Sequence, residues 1–263
     1  MASPTVPNKQ NHVKGKEMRD DIYDPVFVAD LFDRCSANYR RWSAVSSFGF
    51  IWLWRRDCVG LLPGVAKNPV IVDLMAGTGE VWPHLLKRFP HAKKITAVDI
   101  SHRMHLDAVA RLHTDRSDRI THLEADALTA DLPSGHADLL VSTFGLKTFN
   151  PAQQQTIAGQ IGRILKPGGH FALIEASDPQ GWALRPFYRL YLDRVLPLVE
   201  RLFLKGAQDF SMIGTYTRNF KDCSVMADAL RATGLEVAMR KHVFGCATSV
   251  AGRKPIAAAA AKA

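Results

Sequence analysis

Three acids and two glycines stand where apolar runs end, which is where a chain of this type places its chemistry. Asp73 closes Val70-Ile71-Val72, and Gly77 and Gly79 follow it in the stretch VDLMAGTGE. Asp99 ends KITAVD, and Asp126 follows ITHLEA. Glycines after a strand let a ligand approach the backbone, so such a loop can serve a triphosphate, a dinucleotide or S-adenosylmethionine. A triphosphate loop needs a lysine for the terminal phosphates, and neither lysine nor serine follows Gly79. A nicotinamide loop needs a third glycine for close helix packing. Trp82 occupies that place, although Asp99, about twenty residues further on, leaves a dehydrogenase open. S-adenosylmethionine has a sulfonium and no pyrophosphate, and it suits a loop of glycines among acids. Asp73, Gly77 and Gly79 would form that loop, Asp99 would hold the ribose, and Asp126 would accept from the adenine amino group. Met104, one turn into the next helix, is placed either against the adenine or in the core.

These residues must be carried to one edge of a sheet. From residue 69 onward, β-branched runs alternate with helical stretches: strands at 70–72, 94–100, 120–124, 137–143 and 170–175, with helices at 81–89, 102–113 and 153–165. Two closing strands follow at 236–241 and 244–251. The pattern predicts an α/β fold: a Rossmann-like, seven-stranded, mostly parallel sheet with helices on both faces. Ligands bind such sheets at the carboxyl ends of the strands, where Asp73, Asp99, Asp126 and Thr143 fall. Apolar residues at helical spacing between 26 and 62 predict an N-terminal helical cap over 25–66. The main domain then covers 67–252, with a helical insertion over about 181–233. Residues 1–24, with Pro4 and Pro7, and 253–263, ending in an alanine run, are expected to be disordered.

The chain has 263 residues, enough for one large domain with a sizeable core. Its four cysteines, Cys35, Cys58, Cys223 and Cys246, are far apart and form no C-x-x-C pair, so neither a disulfide framework nor a metal site is expected, and a reducing cytoplasm fits. The formal net charge of +9 favours an anionic partner. No aromatic-basic interleaving points to nucleic acid, which leaves an acidic membrane surface ahead of it. No apolar leader is visible at the N-terminus, and no run reaches the roughly 18 apolar residues of a span. None of the ten histidines is placed by spacing or motif.

Several longer pieces, in order, carry a family resemblance: VADLFDRCSANYRRWSAVSSFGFIWLWRR, VDLMAGTGE, AVDISHRM, EADA, STFGLKTF and ILKPGGHFALIEASDP. Over residues 29–252 the chain resembles the class I S-adenosylmethionine-dependent methyltransferases, and within them the ubiquinone/menaquinone C-methyltransferase family. The resemblance implies cofactor contacts at Thr78 in the glycine loop, Asp99 at the ribose, Asp126 and Ala127 at the adenine, and Thr143 after the fourth strand. It also implies that Tyr39 closes over the methionine end, or else simply packs. Where the family has F-G-[LI]-R-N, this chain has Phe144-Gly145-Leu146-Lys147-Thr148. That change keeps a charge but loses a planar fork and an amide.

Methylating a ring carbon requires a positioned acceptor and a place for a phenolic proton to go. Lys147, Thr148, Asp178 and Tyr216 are the polar candidates for that task. The expected acceptor is lipophilic, because Phe48, Phe50, Trp52 and Trp54 precede Arg55-Arg56, and residues 181–204 mix aromatics with arginines. Both stretches suit an interface where rings lie at headgroup level and arginine meets phosphate. The expected function is methyl transfer from S-adenosylmethionine to a carbon of a quinol or related ring, with peripheral membrane contact and a homodimer left open. N- or O-methylation of a phospholipid amine or another small molecule, and cofactor binding without transfer, are the alternatives.

Overall fold

The computed structural model describes residues 21–64, 68–115, 118–203 and 212–256. Asp24 starts the first helix, α1 (Pro25–Ser46): its carboxylate accepts from the Val26 and Phe27 amides, and Pro25 fills a position that needs no amide hydrogen. Gly49, at φ 77°, turns the chain into α2 (Phe50–Leu61). These two helices form the N-terminal cap.

The sheet follows as β1 (Val70–Leu74), β2 (Lys94–Asp99), β3 (Ile120–Glu124), β4 (Ala137–Thr143), β5 (Leu165–Ala176), β6 (Glu236–His242) and β7 (Ala247–Arg253), in the order β3-β2-β1-β4-β5-β7-β6. The first five are parallel, and β7 runs antiparallel to both of its neighbours. This is the seven-stranded, mostly parallel sheet expected. The crossovers α3 (Trp82–Arg88), α4 (His102–Asp115) and α5 (Pro151–Ile164) link the parallel strands. Asn150 and Gln153 cap α5 reciprocally, and the Gln153 side chain also donates to the Tyr23 carbonyl at 2.9 Å, tying α5 to the entrance of α1.

Alternation along the strands divides the core. Val72 and Leu74 face a cluster with Ile157 and Ile161 of α5, while Ile71 faces one with Ile51 and Trp54 of α2 and Leu85 of α3. The insertion contributes α6 (Arg185–Leu190), a π-helical turn at Tyr191–Val195, α7 (Leu196–Phe203) and α8 (Met212–Phe220). Then α9 (Ser224–Ala232) packs beside α5. A third cluster joins Leu31 and Trp42 of α1 to Leu192, Leu196 and Tyr216, making a lid of α1 and the insertion.

Some boundaries differ from those expected. β5 starts at Leu165 and absorbs the Lys-Pro-Gly-Gly run, because Lys166 Nζ donates to Asp138 Oδ1 at 2.6 Å while Asp138 Oδ2 accepts from the Val70 amide at 2.8 Å. β7 starts at Ala247 because Val243 and Phe244 have positive φ and break the ladder. Residues 253–256, expected in the loose tail, are held in place: Arg253 pairs with Glu236, and Lys254 donates to the Gly162 and Leu165 carbonyls. Asp21 and Asp24 likewise order the chain before α1, since Asp21 accepts from the Tyr23 amide. The rest of the two segments expected to be disordered, 1–20 and 257–263, lies outside the described residues, as do 65–67 of the cap boundary and 204–211 of the insertion.

Candidate active site

The glycine loop is built from beneath. Asp99 accepts from the Gly77 amide at 2.7 Å and from the Ser101 amide at 3.0 Å. Burial pushes its carboxyl up to about 6, against the opposing pull of those two amides. His122 Nε2 lies 3.0 Å from the Gly77 carbonyl, and its Nδ1 lies 3.0 Å from His105 Nδ1. Burial drives His122 down to about 4, so at neutral pH it carries a single proton, which the Gly77 carbonyl places on Nε2. Trp82 folds back under Gly79: a β-carbon there would meet the indole ring at 2.3 Å, and the φ of +81° suits glycine besides. The indole Nε1 donates to Asp73 Oδ2 at 3.0 Å. Asp73 is fully buried, its carboxyl is held well above the usual range by desolvation, and its Oδ1 has no partner. Thr78 donates its hydroxyl to Glu80.

Above this loop a solvent-open cleft, with about 700 Å³ of empty space counting its open mouth, lies at the carboxyl ends of β1, β2 and β4. It brings together Gly77, Asp99, Met104, Asp126, Ala127 and Thr143, with Tyr39 of α1 as its roof. Asp73, Thr78 and Gly79 do not line it. Asp73 sits one layer down, bracing the loop through Trp82, and Thr78 is buried against Glu80. Asp126 Oδ1 accepts from the Leu128 amide at 2.9 Å. Burial holds the Tyr39 phenol above its usual range, so it stays a hydrogen-bond donor.

A second chamber, with about 1340 Å³ of empty space counting its opening to solvent, lies under the lid and meets the first at Phe32, Tyr39, Phe144 and Thr148. Its walls are largely apolar, with Leu31, Trp54, Tyr188, Leu192, Leu196 and Met212 among them. Lys147 reaches its wall from the one-turn 3-10 helix Leu146–Thr148. Its Nζ donates to Glu175 Oε1 at 2.7 Å and to the Phe144 carbonyl at 3.3 Å, and its amide donates to Glu175 Oε2 at 3.1 Å. Thr148 donates to the Gly145 carbonyl at 2.7 Å and touches both cavities. Tyr216 lines the chamber but donates its hydroxyl to the Ile22 carbonyl at 2.5 Å, holding the lid to the entrance of α1. Asp178 lines neither cavity: its carboxylate is gripped by Arg185 Nε at 2.8 Å and Nη2 at 2.5 Å.

Four residues of the site are unassigned by the sequence pattern or misplaced by it. Glu175 is fully buried opposite Lys147, and an acid closing the apolar run FALIE is a legible signal for it. Glu80 lines the first cavity, and His122 supports its floor. Arg55, expected to meet phosphate at a membrane surface, is instead buried against that cavity, with its guanidinium carbon 5.4 Å from the centre of the Phe144 ring. Arg56 is the exposed member of the pair.

A first cavity with a glycine floor, acids at two strand ends, and a buried arginine in place of a triphosphate loop's lysine fits an adenosine that carries a sulfonium and an amino-acid end. Comparisons with known proteins agree. Residues 15–254 match the ubiE/COQ5 methyltransferase family. The demethylmenaquinone methyltransferase of Thermus thermophilus is 30% identical over 227 residues, covering 86% of this chain and 100% of that one. The ubiquinone/menaquinone biosynthesis C-methyltransferase UbiE of Shewanella pealeana is 27% identical over 214 residues, covering 80% and 82%. In fold, the chain is similar to a solved SAM-dependent methyltransferase from Aquifex aeolicus, with TM-score 0.56, 14% identity, and 82% and 97% of the two chains covered. The chain belongs to the ubiE/COQ5 methyltransferase family and is an S-adenosylmethionine-dependent methyltransferase.

Proposed function

We propose that this methyltransferase methylates a ring carbon of a lipophilic quinol, such as a demethylmenaquinol. The observation that carries the reading is the junction of the two cavities: a polar, acid-lined one meets an apolar one at Tyr39, Phe144 and Thr148. An isoprenoid tail suits the apolar walls, and its ring would then reach the junction. When bound, S-adenosylmethionine supplies an electrophilic methyl group on its sulfonium.

Asp99, Asp126, Ala127, Met104 and Thr143 are proposed to hold the adenosine, with the Gly77 loop beneath it. Asp73, Thr78 and Gly79 act at one remove, by fixing the loop. On the wall of the second chamber, next to Thr148 of the junction, Lys147 presents a positive charge that Glu175 keeps in place. Next to a phenolic oxygen that charge favours the phenolate, whose electron pair raises the nucleophilicity of the ring carbon. The phenolic proton passes to water, and Tyr39 and Thr148 offer polar groups to the ring oxygens. Tyr216 and Asp178 serve this site structurally, through the lid and through Arg185.

The quinol is proposed to enter from a membrane surface. Phe48, Phe187 and Phe244 are 75%, 68% and 72% exposed, and Phe48 and Val243 form part of the second chamber. Phe48, Val243 and Phe244 all have positive φ; the Phe48 ring lies 5.3 Å from Tyr191, and the Phe244 ring stacks on Trp182 at 5.3 Å. Arg41 and Lys241 are also exposed close by in sequence, and the net charge of +9 suits anionic lipid. No helix among the described residues is long and apolar enough to cross a membrane. Incubation with methyl-labelled cofactor and a reduced lipid extract tests the acceptor class. Label in the quinone fraction is expected, and label in phospholipid, or none at all, would overturn the reading.

A further inference from the structure

Arg55 is a buried cation without an anion. It lies within α2, is 2% exposed, and its Nε is enclosed with no hydrogen-bond partner. It makes no ion pair among the described residues, and its one packing partner of note is the face of Phe144. A guanidinium does not shed its proton at any pH the protein meets, and burying it alone costs several kcal/mol. An anion entering the cavity would pair with it. The acids nearby make no ion pair with it: Asp99 is held by two amides, Glu80 by Thr78 and Arg40 at Oε1 alone, and Asp73 by Trp82 at Oδ2, close enough for the Arg55 charge to be felt but not paired.

The position of Arg55 identifies the anion. It lines the first cavity together with Tyr39, Gly77 and Glu80, and it packs on Phe144, where the first cavity meets the second. If adenine lies at Asp126, the methionine part of the cofactor reaches Arg55, and its α-carboxylate is the cofactor's only negative group. We propose that Arg55 binds the α-carboxylate of S-adenosylmethionine, with Glu80 facing the α-ammonium, so that the site reads the amino-acid end by charge as well as the adenosine. The proposal rests on the cofactor reading given above. It predicts rejection of ligands that keep the adenosine and sulfur but lack the carboxylate.

Calorimetric titration of three ligands tests it: S-adenosylmethionine, its decarboxylated form and 5′-methylthioadenosine. The wild-type protein is expected to bind the first roughly ten- to a hundredfold more tightly than the second, the range of a charge-assisted bond. Arg55→Gln should lose that preference while its affinity for 5′-methylthioadenosine stays within about threefold of wild type, the size of a neutral change. Arg55→Lys, which keeps the charge without the fork, should fall between the two. Equal wild-type affinity for the first two ligands would overturn the proposal. So would an equal loss for all three ligands in Arg55→Gln, which would mark Arg55 as a packing residue. If Arg55→Gln does not fold, the wild-type series and Arg55→Lys still decide. Failure of the wild-type protein to bind any of the three would instead overturn the cofactor reading, and the proposal with it.

Discussion

Asp99 fixes the loop and is proposed to hold the ligand with the same carboxylate. Its two oxygens fix the Gly77 and Ser101 amides, yet burial lifts its carboxyl to about 6. A ribose hydroxyl donates best to the ionised form. Cofactor affinity should therefore be flat above about pH 6 and fall by about tenfold per pH unit below it, as binding has to displace a proton. Titrations between pH 5 and 8 check this, and Asp99→Asn should remove the slope. Apo stability is a poorer reporter. The raised Asp99 value adds stability as pH falls from about 6 toward the ordinary carboxylate range, whereas the depressed His122 value removes it as pH falls from 6.5 toward about 4. A second prediction concerns the Lys147–Glu175 pair. Lys147→Met leaves a buried carboxylate unpaired and should cost about 3–5 kcal/mol, and adding Glu175→Gln should recover much of that loss in denaturant melts. Neither variant should turn over normally, because the Lys147 charge on the chamber wall is gone in both.

At the scale of elements, the strands are legible because short β-branched runs end in acids or glycines; of those acids the first cavity gathers Asp99 and Asp126, while Asp73 lies beneath it. Partnerships across the sheet are not legible. Lys147 and Glu175 meet only because β4 and β5 are neighbours, and His122 reaches the Gly77 carbonyl only because β3 lies beside β2. Arg55 has the sequence surroundings of a surface residue, with Arg56 after it and exposed Trp52 and Leu53 before it, but the turn of α2 sends it inward. Helix α8 carries a faint sequence signal because Gly214, Thr215 and Thr217 are weak helix formers, and packing of Tyr216 in the lid overrides that weakness. Trp82 signals in sequence only an obstacle to a dinucleotide, whereas in the fold it is the support of the loop. Gly79→Ala should therefore cost more than about 1 kcal/mol and sharply weaken cofactor binding, since the indole ring fills the space a β-carbon would take. Trp82→Phe should cost about 1–3 kcal/mol by leaving Asp73 without its donor. Chemical denaturation of both variants, with and without cofactor, provides the comparison.

For the molecule as a whole, the proposed arrangement has the sheet supplying the cofactor floor and the lid the acceptor chamber, so that cofactor and lipid would reach a shared junction from different sides. Replacing Phe48 and Phe244 by serine should reduce sedimentation with anionic vesicles while leaving cofactor affinity unchanged, because both side chains stand at the surface. The central claim, methyl transfer to a quinol carbon at that junction, is tested most directly by one defined reaction. Purified protein, methyl-labelled S-adenosylmethionine and chemically reduced demethylmenaquinone are combined, and the product is examined by NMR. The account predicts the labelled methyl on a ring carbon; a methyl ether on a quinol oxygen, or unmodified quinol beside tightly bound cofactor, would contradict it.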